Sequence, residues 1–192
     1  NAASYAYFAT EEENVLAART SMFTHRETTA LDGGEFFARV TYRVLHRGMK
    51  PIVAIRSVAS QSSSFIKQKV AQALSKVEES LDGRKDLYRE KFADDLALTS
   101  MARLWDVGKT EPIKVGKASP TEGTLPGSIY FIVKYARLQD EGKIENAFKA
   151  ATQSNAEVGG DNASRSIAIG MVLGAWSGVE SIPKELRETY LE

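Results

Sequence analysis

From residue 10 onward, apolar side chains recur mostly at intervals of three and four, with polar residues between them. That period is the repeat of an α-helix with one buried face. Thr10 and Glu13 form a capping box ahead of Val15, Leu16, Ala18 and Met22, and the acids Glu11 to Glu13 suit the positive end of a helix. Asp32 begins a second predicted helix that places Phe36, Phe37, Val40, Val44 and Leu45 on one face, with Gly48 as its stop and Pro51 beyond. Residues 51–59 are ambiguous, because Ile52, Val53 and Ile55 suit a strand while the surroundings favour a helical turn. Ser64 precedes Ile66, Val70, Ala73, Leu74, Val77 and Leu81, the spacing of an amphipathic helix that ends near Gly83. Leu87, Tyr88, Phe92, Leu96 and Trp105 suggest another helix. Residues 106–124 are rich in Gly, Pro, Ser, Thr and Lys, which predicts a long loop, read as a mobile insertion. Pro126 suits the first turn of the next helix, a polar linker at 139–142 ends it, and Pro183 opens the last one. The predicted fold class is all-α.

Composition narrows the function classes. At 192 residues with 43% hydrophobic content, the chain buries one sizeable core, and residues 1–192 are read as a single domain. Lys plus Arg number 25 and Asp plus Glu number 25, so no global field draws in nucleic acid. No apolar run reaches the roughly 20 residues of a membrane span. The longest, residues 167–179, is interrupted by glycines and Ser177. Without cysteine there are no disulfides and no thiolate metal sites, and the compartment stays open. The start at Asn1-Ala2-Ala3-Ser4, with no initiator methionine, leads to the expectation of a processed or truncated N-terminus.

Candidate chemistry concentrates at Glu157-Val158-Gly159-Gly160-Asp161-Asn162-Ala163-Ser164-Arg165, which runs into Gly170, Gly174 and Gly178. Gly159 and Gly160 permit positive φ and close approach of a ligand, while Asp161 can accept the free amides of a first helical turn. Such a helix end attracts anions, so residues 159–164 form a candidate phosphate site, with Arg165 as its bidentate partner or as a salt bridge at the core edge. The glycines at four-residue intervals share one helix face and predict a buried central helix approached closely by a neighbouring backbone.

The Gly-Gly-Asp segment resembles the C-terminal signature of the ADP-ribosylglycohydrolase superfamily, where a Gly-Asp-Thr-Asp-Thr run opens a small-residue helix and its acids bind two magnesium ions. Residues 125–130 (Leu-Pro-Gly-Ser-Ile-Tyr), residues 144–151, Ile182-Pro183 and the Thr24-His25 turn extend the resemblance. It implies a compact, orthogonal multi-helix bundle. The alignment sets Asp161 on the first acid, Asn162 on the first threonine, Ala163 on the second acid and Ser164 on the second threonine. The family's early Gly-Asp turn and Asp-Asp-Thr run have no counterpart, so the chain resembles a C-terminal half, and an N-terminal half is expected to be lacking. The Gly-Gly-Asp-Asn-x-Ser-Arg variant is closer to the branch containing the lens J-crystallins, whose role is not enzymatic.

The resemblance therefore implies a degenerate magnesium site and a non-catalytic binding or structural subunit, with Gly159, Gly160, Asp161, Asn162, Ser164 and Arg165 as ligand-binding residues. No catalytic residue and no cofactor are assigned, and the expected partners are another protein in an assembly and an ADP-ribose-like ligand. The alternative is a magnesium-dependent hydrolase of N- or O-glycosidic ADP-ribose bonds. Asp161 and Ser164 would then be metal ligands, completed from a segment or chain elsewhere. His25 is either a functional imidazole or a helix C-cap, and His46 most simply meets the last carbonyls of its helix. Asp94-Asp95 reads as a solvated face, and Trp105 and Trp176 as core or interface anchors, Trp176 within reach of a partner surface.

Overall fold

The computed structural model describes residues 10–81, 119–158 and 160–188. Among these the regular structure is helical, with no strand: α1 (Glu11–Ser21), α2 (Thr28–Arg47), α3 (Pro51–Gln61), α4 (Ser64–Leu81), α5 (Thr121–Asp140), α6 (Ala147–Val158), α7 (Asn162–Ser177), a 3-10 turn (Val179–Ser181) and α8 (Lys184–Glu188). The predicted all-α class is what is observed. The helix suggested around Leu87 to Trp105, with Asp94-Asp95, and the loop up to residue 118 lie outside the described residues.

Local chemistry explains most boundaries. Thr10 Oγ1 accepts from the Glu13 amide at 3.2 Å while the Glu13 carboxylate accepts from the Thr10 amide at 3.0 Å, completing the expected box at α1. α2 starts four residues before Asp32. Glu27, not Asp32, is its cap, accepting from the amides of Thr29 (2.8 Å) and Ala30 (3.2 Å). Gly48 ends α2 at φ 60°, the left-handed conformation that glycine adopts without penalty. Leu45 does not share the buried face of Phe36, Val40 and Val44; it is 47% exposed.

The ambiguous segment is a full helix. Pro51 occupies its first turn, where a missing amide costs nothing, and Ala54, Ile55, Val58 and Ala59 bury a three-four stripe. Ile52 and Val53 suggested a strand, but Val53 faces solvent. α5 also begins earlier than expected, so Pro126 lies inside the helix and Thr121 to Thr124 belong to it rather than to the preceding loop.

α5 is the central helix. Residues 125–133 are buried without interruption, a helix hydrophobic on all sides, and α2, α3, α4, α6 and α7 pack around it. That position had been expected for α7, but α7 leaves Ile167 63% exposed. Its glycines meet a side chain rather than a backbone. A Cβ at Gly170 or Gly174 would lie 3.8 or 3.9 Å from Cε2 of Phe148 on α6, and Gly178 is outside the helix as its C-cap. Trp176 packs against the main core, and the His46 ring lies tilted against Tyr42, with ring centroids 4.5 Å apart and planes at 34°.

Candidate functional site

The α6–α7 turn brings the predicted residues into one small structure. Gly160 has φ 69°, and Asp161 caps α7 by accepting from the Ser164 amide at 3.1 Å. Burial works against the Asp161 charge, but hydrogen bonds from the Ser164 amide and hydroxyl and from the Ser119 hydroxyl, with Arg165 behind, outweigh it. The carboxyl is held below its ordinary range. Ala163 and Ser164 are exposed on the first turn, and Asn162 is half-buried. Gly159 lies outside the described residues.

Arg165 points inward. Its side chain is fully buried, Nε donates to Asn155 Oδ1 at 2.6 Å, and the guanidinium stands 6.0 Å from the Phe131 ring centre. Arg165 was expected either to contact a ligand or to form a solvated or core-edge salt bridge; its side chain lies in the interior. Asn155 was not singled out by the sequence, yet it joins the two helices. Its Nδ2 donates to the Asn162 carbonyl at 2.9 Å and to Ser166 Oγ at 2.8 Å. Its place in the interior of α6, ten positions from Arg165, carries no local signal. Ser119 approaches from the chain entering α5 and was equally invisible.

Ser164 also lines a cleft of about 480 Å³ between the α1–α2 connection, the start of α5 and the start of α7. His25 reaches the same cleft, its Nδ1 2.8 Å from Thr24 Oγ1. Within α2, Gly33 and Gly34 let the neighbours close in. A Cβ at Gly33 would lie 3.0 Å from Thr121 Cγ2, and one at Gly34 would lie 2.3 Å from Sδ of the flexible Met22 side chain, which would have to shift.

A family model described as ADP-ribosylglycohydrolase matches residues 2–192. The chain belongs to the ADP-ribosylglycohydrolase family. No curated protein and no solved structure matched it. The Asp161 turn stands at the head of α7, with Ala163 two residues on. No helix among the described residues is long and apolar enough to cross a membrane. Among the same residues, no three His, Asp or Glu side chains converge as a metal site would require.

Proposed function

We propose that this ADP-ribosylglycohydrolase family member is a non-catalytic protein, acting by binding or as a structural subunit. The observation that carries the reading is the use made of Asp161 together with the loss at Ala163. Magnesium takes near-octahedral oxygen ligation from carboxylates and waters. Around Asp161 the described residues offer one carboxylate, already engaged by the Ser164 amide, and hydroxyls of Ser119 and Ser164. That donor set does not fit a magnesium ion. The turn instead satisfies itself, with the carboxylate neutralising the amide-rich end of α7 that an anion would otherwise occupy.

The test is release of ADP-ribose from ADP-ribosylated serine and arginine peptides by the isolated chain, with and without magnesium. Turnover no greater than the protein-free blank is expected in both conditions. Magnesium-dependent release that disappears in Asp161→Ala would establish the hydrolase reading instead, with Asp161 and Ser164 as metal ligands.

A further inference from the structure

A second cavity, of about 340 Å³, is framed by α1, another face of α2, the end of α3 and the start of α4. Its volume suffices for a small molecule, and the buried side chains of Phe36, Val58 and Ile66 give it an apolar floor. The charged groups of its lining are Glu12, Asp32, Glu35 and Arg39, and three of the four are committed to one another. Arg39 Nη1 and Nη2 hold Glu12 at 2.6 and 2.9 Å, its Nε holds Glu35 at 3.0 Å, and Nη1 also reaches Glu11 at 3.3 Å. Arg19 takes the second oxygen of Glu35 at 2.8 Å from outside the lining, while Arg43 and Arg47 are drawn to Glu11. Asp32 is the exception. Half-buried on α2, its carboxylate enters no ion pair or hydrogen bond among the described residues.

A carboxylate half-withdrawn from water beside apolar surface gains from a counter-charge, and the guanidinium groups around this one are spent on other acids. The neutral polar groups of the lining are more permissive. Ser62 Oγ donates to the Val58 carbonyl at 2.9 Å, whereas Gln61 and Ser63 act as acceptors, from Arg43 at 3.2 Å and from the Ile66 amide at 3.5 Å. Gln61 and Ser63 therefore keep protons to offer. An anion that took them would share the cavity with three carboxylates, its one guanidinium already held on three sides. A cation with an apolar body meets Asp32 with its charge and the floor with its carbon skeleton. We propose that this cavity is a binding site for a small organic monocation of the alkylammonium type. It shares no lining residue with the cleft at the α7 turn and is read without ADP-ribose, so it stands apart from the release assay.

The experiment uses the full chain labelled at its isoleucine and valine methyl groups, titrated with three probes of one ring body: cyclohexylammonium, cyclohexanol and cyclohexanecarboxylate. The cation should produce saturable shifts at Ile66 and Val58 while Ile182, outside the lining near the C-terminal helix α8, stays unmoved. The alcohol and the carboxylate should bind more weakly by about tenfold or more. Asp32→Asn keeps the side chain's shape and breaks no recorded contact, so it should melt within about 2 °C of the parent. It should weaken the cation by about tenfold and leave the alcohol within about twofold. Glu145→Gln, which removes an exposed acid outside the cavity, should leave the cation within about twofold, so that overall charge is not what is read. No saturable shift with cyclohexylammonium would overturn the proposal. So would equal shifts at Ile182, an alcohol or carboxylate that binds as tightly as the cation, or parental affinity for the cation in Asp32→Asn.

Discussion

Gly170 and Gly174 sit one turn apart on the side of α7 facing Phe148, and the space at each fits a methyl group at ordinary contact distance from the ring. Glycine in a helix interior costs about 1 kcal/mol relative to alanine. Gly170→Ala and Gly174→Ala should therefore each stabilise the protein by up to about 1 kcal/mol, seen as a rise of about 2–4 °C in melting temperature. A fall in either variant would show that α6 and α7 lie closer than Phe148 indicates. The four-residue glycine spacing was legible in the sequence as a packing face, but what packed there was not, because the identity of a neighbour is set by tertiary geometry. The same division holds at the turn. Asp161 announced itself as a cap through its glycine and the apolar run that follows, whereas Asn155 and Ser119, which hold Arg165 and Asp161 in place, reach the turn from other segments.

Helix α1 shows how an element whose boundaries are local is fixed by partners that are not. Its capping box could be read from two residues four positions inclusive, and Glu11 looked like one more acid favouring the helix dipole. In the fold Glu11 is buried and receives Nη2 of Arg43 at 2.8 Å and Nη2 of Arg47 at 2.7 Å, with Arg39 at 3.3 Å. Glu12 pairs with Arg39 at 2.6 Å, and Glu35 bridges Arg39 and Arg19. The three arginines, at positions four apart, form a stripe visible in the sequence of α2, yet nothing local names the acid they enclose. Burial opposes the Glu11 charge, but the guanidinium of Arg43, then those of Arg39 and Arg47, overcome it and hold the carboxyl below its ordinary value of 4.5. A depressed folded-state pKa means the stabilisation is complete above that ordinary value and is lost as the pH falls through the folded one. Urea midpoints measured from pH 6 down to pH 3 should fall. Glu11→Gln should flatten that decline and, by leaving Arg43 charged in a buried setting, cost about 3 kcal/mol near neutrality. An unchanged pH slope in Glu11→Gln would remove Glu11 as its source.

On the scale of the whole molecule, two apolar clusters of unequal size divide the described residues. The main one spans α2 to α7 around α5, whereas α1 contributes Val15 and Ala18 to a separate small cluster with Ala38 of α2. With little apolar area of its own, α1 depends on its ion pairs, and those at Glu12 are exposed enough for salt to screen them. Local opening follows such differences in burial, so hydrogen exchange should resolve two levels of protection. Amides of α5 should exchange only through global unfolding, while those in the middle of α1 should exchange at a lower free energy that falls further in molar salt. Equal protection of α1 and α5, unmoved by salt, would mean that the helices open as one unit. The cleft links this to binding. Ala18, Ser21 and Met22 form one of its walls, so a ligand held there binds the closed arrangement in preference to the open one. A saturating small molecule in the cleft should then slow exchange along α1 and α5 by the same factor, because the partial opening of α1 and global unfolding both remove the occupied site, and protection of α5 alone would show that α1 opens without disturbing the cleft.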